Sequence, residues 1–300
     1  MSGQYWLKMI LNPFDPWKSW LCTCPSKLSL NPYTGCPHGC LYCYARSYIP
    51  HFSCCRPKAD LPRRLDREAA RVPPGRLVAM SSSSDPYPPM EEKLCLSRSC
   101  LKILRDRGLA VQVVTKSCLV ARDAHLLAGM RASVAMTLTT LDDSISRILE
   151  SGAALPGQRL KAMEKLAALG VPVSARIDPI IPGINDAEID DLVSAVSRAG
   201  ARHITSSTYK ARPGGLKRIV NAFPEQGAAL QRLFAGGEMM AGSLYLPAEL
   251  RMDLMERIAA SAELEGLTFS SCREGSEPAP GINCDGSHLL PSQGKTKPEE

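Results

Sequence analysis

The sequence predicts an α/β protein, an incomplete (β/α)6 TIM-type barrel with an N-terminal arm and a C-terminal helical or irregular extension. Three observations lead to this fold class. Short apolar runs alternate with helical patterns about six times between residues 28 and 208. The chain has 300 residues, a length that α/β barrels reach as a single domain. Hydrophobic residues make up 44% of it, which is enough for a sizeable core.

The expected strands are short apolar or β-branched runs bounded by glycine, serine or proline. They cover residues 28–30, 77–80, 111–114, 132–138, 171–177 and 202–206. The expected helices have apolar residues at helical spacing, and Gly108, Gly170 and Gly200 end three of them. They cover residues 41–49, 91–107, 123–129, 158–169, 186–199, 221–234 and 247–264.

The domain organisation follows from where this alternation starts and stops. Residues 1–27 hold three tryptophans and two cysteines without a clear period, and we expect an irregular arm whose aromatic residues pack on the body. Residues 28–208 form the partial barrel, and residues 209–290 form an extension that closes its open side. The end, 291–300, is polar and without aromatic residues, so it is predicted to be disordered.

The composition limits the classes of partner. The net charge of +6 is mild, so it permits a phosphate or nucleic-acid partner without requiring one. Aromatic residues make up only 5%, which argues against a surface of many base-stacking rings. No apolar run is long enough to span a bilayer, and residues 1–10 lack the pattern of a signal peptide. We therefore expect a cytoplasmic protein with reduced cysteines and no membrane partner.

A cysteine-rich stretch at residues 31–46, N-P-Y-T-G-C-P-H-G-C-L-Y-C-Y-A-R, carries the strongest chemical signal. Cys36, Cys40 and Cys43 stand in C-x3-C-x2-C spacing, and thiolates on such short loops hold iron–sulfur clusters. Three ligands are one fewer than a closed centre needs, so one metal position is left for a cofactor or substrate. The alternatives are a structural zinc site with His38 as fourth ligand, and a disulfide, which fits a reducing compartment less well.

This array resembles that of the radical S-adenosylmethionine (SAM) superfamily, and Tyr42 fits the aromatic position before the third cysteine. The resemblance implies a [4Fe–4S] cluster that is held by the three cysteines, with SAM chelating the fourth iron. SAM is then a partner, together with an external electron donor. The oligomeric state is left open.

Side chains suited to SAM follow the predicted strands, whose carboxyl ends converge at the active site of a parallel barrel. SAM is a zwitterion, so Lys116 suits its carboxylate, and Ser84 and Asp85 suit its ammonium group. Thr137 can bond the ribose or the amino acid part, and Tyr42 can lie against adenine. The cations after the sixth strand are Lys210, Arg212, Lys217 and Arg218.

Five motifs in order resemble the spore photoproduct lyase-like branch of the superfamily. They are N-P-Y-x-G-C…Y-C-Y-A-R, S-S-D-P-Y, T-K-S, T-L-T-T-L and P-I-I-P-G-I-N-D, and they cover about residues 28–208. The resemblance implies roles for individual residues. Those roles are cluster ligands for Cys36, Cys40 and Cys43, SAM contacts for Ser84, Lys116 and Thr137, and a hydrogen-atom relay for Tyr42 and Tyr44.

Two features depart from that pattern. Ser82 stands where the lyases carry a hydrogen-donating cysteine, and a hydroxyl is a much poorer hydrogen-atom donor than a thiol. The tail adds Cys272 and Cys284 beside glycine-rich turns. These two residues are interpreted either as buried thiols or as part of an auxiliary cluster or a hydrogen-atom donor.

The resemblance therefore implies a radical SAM enzyme in which a 5′-deoxyadenosyl radical abstracts hydrogen from a substrate. Basic residues in 56–76 and 210–218 favour a nucleic-acid base as that substrate. The first of these segments also reads as a solvated helix with a charged outer face. The alternative function is a non-catalytic, metal-organised module that binds nucleic acid.

Overall fold

The computed structural model describes residues 9–14, 19–81 and 83–292. Trp6, Trp17, Ser82 and residues 293–300, on which some of the expectations above depend, lie outside these ranges. Within them, no helix is both long and apolar enough to cross a bilayer. The strands, in chain order, are β1 Asn12–Pro13, β2 Leu28–Leu30, β3 Tyr33–Thr34, β4 Arg56–Pro57, β5 Leu77–Met80, β6 Ala110–Thr115, β7 Ala132–Thr137, β8 Val173–Ile180, β9 Ala201–Thr208, β10 Glu238–Met240, β11 Ser243–Tyr245 and β12 Thr268–Ser271.

The helices lie mostly between consecutive strands of the sheet. They are α1 Leu61–Ala69, α2 Glu91–Leu94, α3 Leu96–Asp106, α4 Ala124–Ala128, α5 Asp143–Leu149, α6 Pro156–Ala168, α7 Ile189–Arg198, α8 Gly215–Ala222, α9 Pro224–Ala235 and α10 Ala248–Leu264. Their buried faces carry leucine, isoleucine, valine and alanine, and these pack with the sheet into one large apolar core. A second apolar cluster packs α8 and α9 against Leu41 and Tyr42 of the cysteine-rich stretch.

Eight strands form one sheet in the order β1-β2-β5-β6-β7-β8-β9-β12. Every neighbouring pair from β2 to β12 is parallel, and only β1 runs antiparallel, to β2. β1 and β12 are the two edges, so the barrel stays open. This mainly parallel sheet, with helices in the connections, confirms the expected fold class. All six expected strands are present, with ends that differ by at most about three residues.

Several elements differ from the sequence-based expectation. The helix expected over 91–107 is interrupted at Cys95, whose φ of +49° is left-handed. The helix expected over 41–49 is only a 3-10 turn, Tyr44–Ser47. The parallel strand β12 was not expected, since its T-F-S-S sequence has little apolar signal. Helix α5 was also missed, although Asp142 caps its first turn.

The C-terminal segment 283–287, which we call the plug, lies inside the open barrel. Gln112 on β6 donates to the carbonyl of Asp285 at 2.6 Å, and Thr205 on β9 donates to that of Cys284 at 2.8 Å. Gly286 has a φ of +78°, and a Cβ at this residue would crowd the side chains of His203 and Ser174. Inward-facing polar residues of the strands are therefore satisfied by the plug's backbone.

The packing of α10 on the sheet generates a stability prediction. Ile258 is fully buried, whereas Leu264 on the same helix is 89% exposed. Replacing Ile258 by Ala should lower the free energy of unfolding by about 2–5 kcal/mol, because it leaves a cavity. Leu264→Ala is the matched control and should change it by no more than about 0.5 kcal/mol. Urea denaturation followed by circular dichroism measures both, and equal effects would contradict this packing.

Candidate active site

A cavity of about 490 Å³ opens at the carboxyl ends of the parallel strands. Parallel strands end at one edge of the sheet, so residues far apart in sequence meet there. The cysteine-rich stretch follows β2, the other motifs lie at the ends of β5, β6, β7 and β8, and the cations follow β9. The lining residues that the sequence singled out are Cys36, His38, Cys40, Tyr42, Cys43, Tyr44, Ser84, Asp85, Lys116, Thr137, Lys210, Arg212 and Cys272.

The cysteine loop, residues 35–55 between β3 and β4, is fixed by the turn that follows α5. The amide of Leu41 donates to the carbonyl of Leu149 at 2.9 Å, and that of Gly152 donates to the carbonyl of His38 at 2.8 Å. The two segments lie so close that a Cβ on Gly152 would overlap the carbonyl oxygen of Pro37. The position of the loop thus depends on contacts between residues more than a hundred positions apart in sequence.

Three thiols of this loop, Cys36, Cys40 and Cys43, line the cavity together. Burial raises the pKa of Cys36 to about 12 and also raises those of Cys40 and Cys43, so metal binding must displace their protons. In the described part of the chain, no three His, Cys, Asp or Glu side chains are gathered to hold a single metal ion. The donor set fits an iron–sulfur cluster, in which each cysteine binds a different iron atom.

Glu150, at the end of α5, is a buried carboxylate that links the cysteine loop to the barrel. Its Oε1 accepts a hydrogen bond from the Tyr42 hydroxyl, and its Oε2 lies 2.5 Å from a guanidinium nitrogen of Arg159. Lys116 Nζ lies 4.0 Å from Oε1 and 5.4 Å from the centroid of the Tyr42 ring. Burial opposes ionisation, but the charges of Arg159 and Lys116 keep the pKa of Glu150 below its ordinary value.

Asp85 organises the turn after β5. Its carboxylate accepts hydrogen bonds from Thr115 Oγ1 at 2.7 Å, the amide of Lys116 at 2.8 Å and the amide of Tyr87 at 2.9 Å. His38 Nδ1 from the cysteine loop lies 3.5 Å away, and burial lowers the pKa of this imidazole despite the nearby carboxylate. Asp85 therefore ties together three of the segments that line the cavity.

Ser84 offers a polar group to a ligand. Its side chain is 2% exposed and lines the cavity, and its Oγ has no hydrogen-bond partner among the described residues. An unsatisfied buried hydroxyl costs free energy unless a ligand supplies the partner. Thr137, at the end of β7, is also buried and lines the same cavity. These residues fit a zwitterionic ligand between the thiols and Lys116.

Tyr42 and Tyr44 have different environments. The Tyr42 hydroxyl is buried against Glu150, and burial followed by that carboxylate raises its pKa. Tyr44 lies at the cavity edge, 37% exposed, and its ring stacks on Tyr48 with centroids 6.2 Å apart. Of the two phenols, Tyr44 is the more accessible from outside.

The far wall of the cavity carries paired charges. Arg176 lies 2.6 Å from Asp178, which also accepts a hydrogen bond from Ser207 at 2.5 Å. Lys210 lies 2.7 Å from Glu274. Of the four cations expected at this end, Lys210 and Arg212 line the cavity. Lys217 does not line it, and neither does Arg218, whose Nε donates to the carbonyl of Leu41 at 3.1 Å.

Sequence reasoning missed several residues of the site. Glu150 lies in a stretch for which no helix was predicted, and with Ser151 and Gly152 after it the local sequence gives no sign of a buried carboxylate. Arg176 lies inside a predicted strand. An arginine in a buried strand needs a charged partner, and its presence there was the only signal in the sequence that pointed to this ion pair. The partner, Asp178, follows two residues later on the same strand face.

Comparisons with known proteins give one family match and several distant relatives. The model of the radical SAM superfamily matches residues 30–196. An uncharacterized protein of Mycobacterium tuberculosis is 28% identical over 258 residues, which cover 78% of this chain and 73% of that protein. The radical SAM Nalpha-GlyT isomerase of Pseudomonas phage M6 is 23% identical over 262 residues, which cover 83% of this chain and 54% of that protein.

A solved structure shares the fold. Spore photoproduct lyase complexed with dinucleoside spore photoproduct superposes with a TM-score of 0.65 and 16% sequence identity. The match covers 88% of this chain and 80% of that one. At this identity the similarity supports the partial-barrel fold and leaves the substrate open.

The Glu150 cluster generates a prediction about stability and pH. Glu150→Gln should lower the free energy of unfolding at pH 7 by about 3–5 kcal/mol, because Arg159 is left buried without its counter-charge. The pKa of Glu150 is lowered on folding, so the wild-type advantage is present above the ordinary value of 4.5 and fades as the pH falls below it. Denaturation curves between pH 3 and pH 7 measure this difference.

The matched control for that prediction is Glu164→Gln, on the exposed face of α6. It should leave the free energy of unfolding within about 0.5 kcal/mol of the wild-type value at every pH. A Glu150→Gln variant that is as stable as the control at neutral pH would show that the buried carboxylate does not hold the loop.

Proposed function

The chain belongs to the radical SAM superfamily, and we propose that it holds a [4Fe–4S] cluster through Cys36, Cys40 and Cys43 and binds SAM beside them. It is a radical SAM enzyme that uses SAM and an iron–sulfur cluster. When bound, these cofactors supply a 5′-deoxyadenosyl radical that abstracts hydrogen from a substrate. The observation that carries the proposal is that the three thiols open onto the same cavity as Ser84 and Lys116.

The chain's own residues position SAM. The ammonium group of Lys116 is available for the SAM carboxylate. Glu150 lies 4.0 Å from this ammonium group, and the negative charge of Glu150 is paired more closely with Arg159, at 2.5 Å. Ser84 Oγ accepts from the SAM ammonium group, and Thr137 bonds the ribose or the amino acid part. Asp85 acts by holding the Ser84 turn against the amide of Lys116, and its charge favours the ammonium group.

The same arrangement suggests roles for the two tyrosines, Tyr42 and Tyr44. We place Tyr42 against the adenine, with its ring fixed by Lys116 and its hydroxyl by Glu150. Tyr42 and Tyr44 form the hydrogen-atom relay that the family resemblance implies, and Tyr44 is the member that reaches substrate at the cavity edge. Electrons come from an external donor.

The substrate we propose is a nucleic-acid base. Lys210, Arg212 and Arg273 line the cavity on one side, and such cations suit phosphates next to a base. The lyase that shares the fold was solved with a dinucleoside photoproduct, which supports this choice. The charges of α1 lie away from the cavity, on the outer face of a helix whose buried residues are Leu61, Leu65 and Ala69. The non-catalytic alternative loses its support, because the family is one of enzymes.

A reducing compartment suits this chemistry. The chain has 12 cysteines, all of them free in the structure. Thiols and an iron–sulfur cluster persist where reductants keep them from oxidation. The cytoplasm is therefore the place in which we expect the enzyme to work.

The first test of this function concerns the cluster ligands. Cys40→Ala should lose most of its iron after anaerobic reconstitution and should form no 5′-deoxyadenosine from SAM with dithionite. Cys118→Ala, a thiol that does not line the cavity, is the control and should keep the wild-type iron content and product. Iron analysis and chromatography of the products measure both. A Cys40→Ala variant with full iron and full SAM cleavage would falsify the assignment.

The second test concerns the substrate. Arg212→Gln should weaken binding of a single-stranded oligonucleotide and reduce the slope of log K against log salt by about one, since one phosphate contact is lost. Arg63→Gln on α1, whose side chain is 82% exposed, is the control and should bind like wild type. Filter binding across a salt series measures the slopes. If Arg63 changes the slope and Arg212 does not, the nucleic acid lies on α1 and not at the cavity.

A further inference from the structure

Four cysteines outside the cysteine loop come together at the far wall of the cavity. Cys22 and Cys24 precede β2, Cys272 follows β12, and Cys284 belongs to the plug. Cys24 and Cys272 line the cavity, whereas Cys284 is buried and does not. The thiol of Cys284 donates to the sulfur of Cys24, and the two Sγ atoms are 3.3 Å apart. A convergence of residues from both ends of the chain needs an explanation beyond packing.

The surroundings hold these two sulfurs in place. Lys27, three residues after Cys24, forms a buried ion pair with Asp285, the residue after Cys284. The carbonyl of Cys284 accepts from Thr205 at 2.8 Å, and that of Asp285 accepts from Gln112 at 2.6 Å. The ion pair thus joins the segment that carries Cys24 to the plug beside the sulfur contact, and the two hydrogen bonds hold the plug on the barrel strands.

The two thiols differ in chemistry. Hydrogen bonds from Cys22 and Cys284, assisted by the charges of Lys27 and Arg176, lower the pKa of Cys24 well below its ordinary value. The hydrogen bond to Cys24, together with burial, raises the pKa of Cys284. Cys24, which lines the cavity and accepts the hydrogen bond, is therefore the sulfur of the pair that ionises more readily, and Cys284 is the donor beside it. A thiolate with access to solvent is the reactive form of cysteine.

We propose that Cys24 and Cys284 form a redox-active thiol pair that opens onto the cavity and takes a low-molecular-weight disulfide as its partner. The Cys24 thiolate attacks one sulfur of the disulfide RSSR, so that a mixed disulfide forms and RS⁻ leaves. Cys284 then loses its proton to this RS⁻ and attacks the Cys24 sulfur, which releases a second RS⁻. The pair gives up two electrons to RSSR, and the products are the Cys24–Cys284 disulfide, RSH and RS⁻.

Oxidation has a structural consequence at the cavity. The new bond joins the segment before β2 to the plug, at the wall opposite the cluster loop. It also removes the negative charge of Cys24 from beside Lys27 and Arg176, whose positive charges would then be less balanced. The redox state of the pair would in this way set the charge of the wall that faces the reaction.

The test uses the reconstituted holoenzyme with oxidised glutathione as the probe, under anaerobic conditions. Remaining thiols are blocked with iodoacetamide, and a non-reducing digest is mapped by mass spectrometry. Wild type should yield a disulfide between the peptides of Cys24 and Cys284 with no loss of iron. Cys284→Ser should stop at the first step and keep glutathione on Cys24. Cys95→Ser, a thiol that does not line the cavity, should behave like wild type.

Three results would overturn the proposal. The first is a wild-type digest without any cystine, and the second is a cystine that joins Cys24 to Cys22 or to Cys272. The third is a Cys24→Ser variant that binds less iron than wild type, because the sulfur would then be a metal ligand. The wild-type map needs no variant to fold, so the proposal stays testable if the substitutions prove unstable. SAM cleavage in the same samples reports separately on the proposed function.

Discussion

The buried charge of Glu150 is the constraint on which the cavity depends. A carboxylate without access to water is stable only when cations and donors surround it, and here Arg159, Lys116 and the Tyr42 hydroxyl do so. Arg159 also donates to the carbonyl of Thr137 at 3.0 Å, so one ionic centre joins the cysteine loop, β6 and β7. The loop itself has hardly any regular structure. Its geometry is therefore imposed from outside by a charge cluster that cannot be partly formed without leaving a charge unpaired.

The interior of the barrel is polar where most barrels are filled by branched aliphatic side chains. Gln112, Thr205 and Ser174 face inward because the plug occupies the space and its backbone needs hydrogen-bond partners. An open sheet admits such a segment, whereas a closed ring of eight strands would have no room for it. The same opening lets the cavity extend from the cluster loop to the plug, so that the two ends of the chain contribute to one site.

The cavity therefore has two chemically different sides. One carries the cysteine loop with Lys116 and Ser84, which suit a soft metal centre and a zwitterion. The other carries paired charges, such as Arg176 with Asp178, together with the thiols of Cys24 and Cys272. A ligand that lies between them meets thiols, a lysine and a serine on one side and a charged, thiol-bearing wall on the other. The protein's contribution is to position these groups and to exclude water, while the cofactors carry out the difficult chemistry.

The sequence by itself determined the strand–helix alternation, the six central strands and the cysteine loop, because apolar periodicity and the short spacing of Cys36, Cys40 and Cys43 are local properties. It also placed Ser84, Asp85, Lys116 and Thr137 at one edge, since parallel strands end together. Only the tertiary structure decided that Glu150 underlies the loop, that β12 extends the sheet and the plug lies inside the open barrel, and that Cys24 meets Cys284. These contacts join residues more than fifty positions apart, and no local pattern encodes which buried charge or thiol will find its partner across such a distance.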